Sequence, residues 1–315
     1  MQRLRPALLR CFHALPAVLA AGTAVCALLQ LTVRDRWPVF SMVVYASPPV
    51  AMAVVLLATS FIWGLRKAWR HTIAAGGGAL VAAAWWLAAS MVLAPPPEGP
   101  APRGLLRSLG WNLERGEEGW DAVLAEIRAH DPDLAWFVEA AEEQPPPGPK
   151  WHGELAGYDK REAAGGMLFI TKGRIREFRQ VLKGDSRIAE FRVTLRGADL
   201  TVLVVDIDGT SYRHRGPVFE VLDAAIAEVP PGPLLVGGDF NTPRDSFFFD
   251  EWRGRLKHSF EAGGRGMDGT WPTPLPFLSI DHCWVNDRIR VRSCVLPMTS
   301  ASDHRPVFVE FEVGE

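Results

Sequence analysis

The stretch Pro233-Leu234-Leu235-Val236-Gly237-Gly238-Asp239-Phe240-Asn241-Thr242-Pro243 decides how this chain reads. A short apolar run bounded by turn residues predicts a buried strand, and the two glycines let the chain turn tightly at its end. Asp239 and Asn241 stand two apart on the segment that leaves the strand, so in an extended backbone they face the same side. A carboxylate there can orient or deprotonate a water, and an amide can donate to a phosphoryl oxygen. Asp and Asn are equally common as plain turn residues, so the motif alone leaves both readings open.

Working outward, charge divides the chain. It holds 34 Lys and Arg against 36 Asp and Glu; the first hundred residues contain eight basic and two acidic ones, so 26 and 34 remain beyond them, a net of −8. Three apolar runs fill the basic part, at about residues 14–33, 39–65 and 72–93, each without a charge. Each reaches the roughly 20 residues needed to cross a hydrocarbon core. Buried core helices are the competing reading, but three such runs joined by short basic loops would need a large protein shell. A cleaved signal peptide explains only the first run. The basic residues Arg3, Arg5 and Arg10 of the tail, and Arg66, Lys67 and Arg70 of the second loop, place both in the cytoplasm by the positive-inside rule. Three crossings then leave the remainder on the outer side. The expected domains are a three-helix transmembrane anchor over residues 1–94, a proline-rich linker over 95–104 that acts as a stiff spacer, and a soluble domain over 105–315.

In the soluble part, residues 105–112 and 133–138 read as strands, with an amphipathic helix between them carrying Trp120, Val123, Leu124 and Ile127 at helical spacing. Strands over 167–171, 174–182, 187–195 and 200–206 are separated by Gly-containing turns that suit antiparallel hairpins. A second helix over 216–229 precedes the opening strand, and strands over 279–285, 290–296 and 306–313 close the chain. Many strands with few helices predict an α/β fold of two packed, mostly antiparallel sheets with helices outside. Cys283 and Cys294 flank an expected hairpin; they pair in an oxidising compartment or stand as buried thiols. Phe247-Phe248-Phe249 and Trp252 read as a core segment or as an apolar lip that meets lipid.

Five short motifs lie at strand ends: Trp111-Asn112, Glu139, Gly238-Asp239-Phe240-Asn241, Ile280-Asp281-His282, and Ser302-Asp303-His304-Arg305-Pro306. Each is weak alone. In this order and spacing, with Thr270-Trp271-Pro272 before the Asp281 motif, residues 105–313 resemble the endonuclease/exonuclease/phosphatase superfamily, the deoxyribonuclease-I-like fold. The resemblance implies a four-layer α/β sandwich. It implies Glu139 as principal Mg²⁺ ligand (Mn²⁺ in its place), with Asn112 beside it in contact with metal and substrate, and Asp303 as a further metal contact. It also implies Asp239 activating the attacking water, Asn241 binding the phosphoryl group, and His304 stabilising the transition state with Asp281 orienting its ring. These residue types suit the chemistry, since phosphoester hydrolysis loads negative charge on oxygens and needs a hard cation with fixed donors.

One departure stands out. Many members of that family carry a histidine at the end of the strand that here reads Val204-Val205-Asp206. Asp206 is then a second metal ligand, a protonated acid or a sign of altered activity. Arg213, with His214 and Arg215, either supplies positive charge from the next loop or forms a solvated basic turn.

For the substrate, the net charge of −8 counts against extended nucleic-acid binding, which relies on basic surfaces. The anchor resembles that of membrane-bound bacterial members related to glycopeptide resistance, which implies a lipid pyrophosphate at the outer face of the cytoplasmic membrane. An exported nuclease, and a binding or sensor module without turnover, are the alternatives.

Overall fold

The structure, a computed structural model, describes residues 4–95, 104–141 and 150–314, with side chains from residue 14 onward. The proline-rich segment at 96–103 lies outside the described residues, and so does the loop at 142–149. The chain divides into two units, one of Met1–Ser90 with Ser211–His214, the other of Met91–Thr210 with Arg215–Glu315.

The first unit is helical: α1 (Leu4–Thr32), α2 (Pro38–Ala46), α3 (Pro49–Leu65) and α4 (Trp69–Ser90). Ala14–Thr32 and Trp69–Ser90 are each long and apolar enough to cross a membrane. The second apolar run is not the continuous helix expected. It breaks at Ser47-Pro48, where α2 and α3 meet at 61°. A proline lacks the N–H that would continue the helical ladder and forces the preceding residue out of helical geometry. Gln30 Nε2 donates to Val44 O (2.7 Å) and Ser47 O (3.2 Å), so the carbonyls freed by the break are satisfied. Val25, Leu57, Phe61, Ile73 and Leu80 stand exposed on these helices. The third run also ends early: α4 stops at Ser90, and Met91–Leu93 become a strand.

The second unit begins with that strand, β1 (Met91–Leu93). There follow β2 (Leu106–Asn112), α5 (Trp120–His130), β3 (Leu134–Val138), β4 (Asp159–Ala163), β5 (Met167–Thr171), β6 (Arg174–Leu182), β7 (Arg187–Leu195) and β8 (Ala198–Asp206). After α6 (Gly216–Glu228) come β9 (Leu234–Asp239), β10 (Lys257–His258), α7 (Ser259–Gly263), β11 (Arg265–Met267), β12 (Asp281–Val285), β13 (Ile289–Val295) and β14 (Val307–Val313). Two six-stranded sheets form, in the orders β10-β12-β9-β8-β7-β6 and β13-β14-β2-β3-β5-β4. Each is mixed: β2 runs parallel to β3, and β8 parallel to β9, while the other pairs are antiparallel. A small third sheet pairs β1 with β11.

Alternation along the strands builds the layers. Phe191, Val202, Val204 and Leu235 from one sheet and Trp136, Val138, Phe169 and Val309 from the other share one core. The opposite faces carry Leu109, Phe137 and Ile170 under Val123, Leu124 and Ile127 of α5, and Leu203, Val205 and Val236 under Phe219 and Leu222 of α6. Phe249 and Trp252 join this second outer layer, so the aromatic run is core. Asp159–Ala163 gave no sequence signal because β4 is a half-exposed edge strand made largely of charged residues, which have no apolar period to show.

The expected hairpin around Cys283 and Cys294 is not there. β12 and β13 belong to opposite sheets, because the short connection after Val285 crosses between layers. Both cysteines are free and buried in the shared core. Burial pushes the Cys283 thiol up to about 12 and the Cys294 thiol well above its ordinary value.

Candidate active site

The alternation that lays Val204, Leu235 and Cys283 into the shared core continues along each strand, by one step on β8 and β12 and by two, through Gly237, on β9. It carries Asp206, Asp239 and Asp281 to the end of that core. They are register neighbours, Asp206 opposite Asp239 and Asp239 opposite Asp281. The facing sheet contributes Asn112 at the end of β2, Glu139 just after β3 and His304 just before β14. Two glycines make the approach of the layers possible. A Cβ at Gly237 would lie 2.3 Å from Trp136 Cζ2, and one at Gly110 2.3 Å from Trp136 Nε1, so the indole fits between the sheets only because both positions are bare. The turn out of β9 needs the next glycine too. Gly238 has φ +145, and a Cβ there would lie 1.9 Å from Val205 O.

The backbone around these residues is held in sparsely populated conformations. Glu139 (φ 48), Asn241 (φ 46), Glu114 (φ 46) and Arg115 (φ 53) are all left-handed. Such strain collects at functional sites, where surrounding contacts fix it. Asn112 Nδ2 bridges two carboxylates, 3.2 Å from Glu139 Oε1 and 3.0 Å from Asp239 Oδ2, while its Oδ1 accepts from Glu114 N (3.0 Å). Glu114 Oε2 accepts in turn from Asp303 N (2.8 Å). Ser302 Oγ donates to Asn112 O (2.8 Å) and accepts from His304 N (3.1 Å), tying the Ser-Asp-His loop to β2. Trp271 Nε1 holds Asp303 Oδ2 at 2.7 Å, and Arg115 Nε lies 3.4 Å from Glu139 Oε2.

His304 Nδ1 sits 2.8 Å from Asp281 Oδ2, with both side chains nearly buried. Burial alone would lower the imidazole, but the Asp281 carboxylate outweighs it, helped by Asp239 and Asp303, and carries His304 up to about 10. The Asp281 carboxylate thus favours the protonated ring, whose Nε2 faces away from Asp281. Asp239 is pushed up to about 8, by burial first and then by the charge of Asp281. Asp206 is pushed up to about 6 by burial, against the pull of Arg187, whose Nη1 donates to Asp206 Oδ2 at 2.6 Å.

Ligand atoms of Asp239, Asp281 and His304 all lie within 4.8 Å of one another. The donor set fits a hard cation. Buried carboxyls of Asp206, Asp239 and Asp281 crowd one end of the core, with Glu139 beside them. The imidazole nitrogen nearest the cluster is already committed to Asp281, so oxygens of Asp239 and the half-exposed Glu139 are the better donors for Mg²⁺.

The structure brings Asn112, Glu139, Asp239, Asp281 and His304 together at one end of the core. Asp303 joins them through Trp271 and Glu114, 3.7 Å from His304 Nε2. Asn112 presents its amide nitrogen to the carboxylates, so it offers its oxygen to a cation only if the amide turns over. Asn241 commits one amide N–H to Ile207 O (2.8 Å), and its backbone N–H to Asp239 Oδ1 (2.8 Å). Asp206, read as a second metal ligand, a protonated acid or a sign of altered activity, pairs with Arg187 across β7 and β8. Arg213 is exposed in the turn and His214 half-buried, and both group with the helical unit, whereas Arg215 is buried and donates to Thr210 O and Asn241 O. Sequence reading missed Glu114, Arg115 and Arg187. Glu114 and Arg115 sit within three residues of Asn112, but no spacing rule marks them, and Arg187 becomes visible only through strand pairing.

A model of the Endonuclease/Exonuclease/phosphatase family matches residues 109–304. The chain belongs to this family. Members of the family are metal-dependent phosphoesterases. Similar solved structures include an endonuclease/exonuclease/phosphatase family protein from Bacteroides thetaiotaomicron (18% identity, covering 68% of this chain and 100% of that one, TM-score 0.56). Another is the mannosyl-6-phosphatase Bt3783 of the same organism (18%, 66% and 99%, TM-score 0.54). D. rerio TDP2 complexed with single strand DNA product is similar as well (13%, 67% and 100%, TM-score 0.55). At these identities the likeness is one of fold. No curated protein matches the sequence.

Proposed function

We propose that this protein is a Mg²⁺-dependent phosphohydrolase, anchored in a bacterial cytoplasmic membrane by its N-terminal helices, that cleaves a phosphoester or pyrophosphate borne on a lipid at the outer face. The observation that carries the reading is the convergence of Asp239, Asp281 and His304 within 4.8 Å, at the end of the core where Asn112 links Asp239 to Glu139.

Glu139 and Asp239 would hold the cation, with Asp303 as an outer contact, and it would neutralise charge on the phosphoryl oxygens. Asp239, as its carboxylate, orients the attacking water and takes its proton as the new P–O bond forms, while the bond to the lipid-borne oxygen breaks and its electron pair leaves with that oxygen. His304, fixed by Asp281 through Nδ1, donates from Nε2 to the phosphoryl oxygens as charge builds on them. Asn241 holds a second oxygen through the amide N–H that Ile207 leaves over. The orientation rests on the basic N-terminal tail and second loop, and the lipid on the apolar helices that share the chain with the site.

The test is orthophosphate release from a lipid pyrophosphate by the purified full-length protein. Turnover requires Mg²⁺ and falls at least about 100-fold in Glu139→Ala and His304→Ala, the scale of losing a charge-stabilising group. Absence of Mg²⁺-dependent turnover on any phosphoester refutes the reading. Plasmid nicking with a steep salt dependence would move it to a nuclease. A tag after Glu315 should be reached by a membrane-impermeant reagent in intact cells.

A further inference from the structure

Asp281, Asp239, Asp206 and Arg187 form one register row across β12, β9, β8 and β7. Three carboxylates are thus closed by one cation. It stands beyond the strand end where the resemblance led us to expect a histidine. The pair is partly buried, with the Asp206 side chain 7% and Arg187 28% exposed. Gly165 covers the arginine: its φ is +75, and a Cβ there would lie 1.8 Å from Arg187 Nε. The guanidinium is therefore held between a carboxylate and a backbone that only glycine allows so close. A guanidinium has five N–H donors. Among the described residues Arg187 uses one of them, on Asp206. A charge pair taken partly out of water adds little net stability over an apolar pair, so stability does not account for it.

We infer that Arg187 is an anion-recognition residue of this site, binding the phosphoryl group next to the one attacked, and that it selects a pyrophosphate over an isolated phosphate. The inference rests on the phosphohydrolase reading. Arg187 lies two strands from Asp239, about 9–10 Å from backbone to backbone, a gap that its long side chain, directed onto Asp206 of the intervening strand, and a second phosphoryl group together span. Elsewhere along the row a second anion would meet carboxylates. A planar, always-charged fork bound to Asp206 on one edge can take phosphate oxygens on the other. Asp206 fixes where the fork stands.

Calorimetric titration of the full-length protein at a fixed Mg²⁺ concentration, with inorganic pyrophosphate and with orthophosphate, decides this. The wild type should bind pyrophosphate more tightly. Arg187→Met should lower pyrophosphate affinity about 10- to 100-fold, the scale of a charge-assisted hydrogen bond, and orthophosphate affinity less than about threefold. The double variant Arg187→Met/Asp206→Asn, which leaves no orphaned carboxylate, should behave the same way, and Arg187→Lys should recover part of the loss. No pyrophosphate preference in the wild type, its retention in the double variant, or equal loss for both anions would overturn the inference. If the preference depends on Arg187 while no phosphoester is turned over, the subsite stands and the hydrolase reading falls.

Discussion

At the scale of single residues, the His304–Asp281 pair sets how the site responds to pH. The folded imidazole lies at about 10, against an ordinary value of 6.5. The folded state binds that proton more tightly, so the pair's contribution is complete below 6.5 and is lost as pH rises through 10. His304→Gln should therefore cost stability most at pH 6, by up to about 3–5 kcal/mol for breaking a buried pair. The cost should shrink across that window; thermal melts of both proteins showing the same difference at both ends would mean the charge is not its source. Asp239 follows the same rule with the opposite lesson. Raised from 3.8 to about 8, it makes the fold less stable as pH climbs between those values. Without divalent cations, Asp239→Asn should melt higher than the parent at pH 8 while losing turnover. Added Mg²⁺ should raise the parent's Tm more at pH 8 than at pH 5.

Among elements, β9 was the most legible, because an apolar run, two glycines and a turn are all local signals. What its glycines do was not legible. Gly237 is bare so that Trp136, on a strand of the other sheet, can lie between the layers. Gly237→Ala should cost about 1–3 kcal/mol by overpacking. Trp136→Phe in the same chain should return part of it, and denaturant unfolding of the two single variants and the double one measures the coupling. β12 and β13 teach a similar point. Two adjacent strands joined by a short link read as a hairpin, yet the link crosses between layers. Only the partners Asp239 and Val309, far away in sequence, reveal it.

For the whole molecule, the boundary between the two units falls at Ser90. β1 pairs with β11, and Ala94 N donates to Gly264 O at 3.1 Å. A fragment starting at Met91 should therefore melt higher than one starting at Leu105. About 2–4 °C is expected for each kcal/mol these contacts contribute; equal melting would detach β1 from the fold. The sequence by itself located the long apolar helices, ten of the fourteen described strands and the strand-end motifs that carry Asn112, Glu139, Asp239, Asp281, Asp303 and His304. Each of these announces itself within a few neighbouring positions, through hydrophobic period, turn chemistry or a short motif. Tertiary structure alone decided that the two buried cysteines enter the shared core from different sheets and that Arg187 answers Asp206. These depend on which strands and helices meet, and that pairing is chosen by packing between segments whose spacing along the chain leaves no periodic trace.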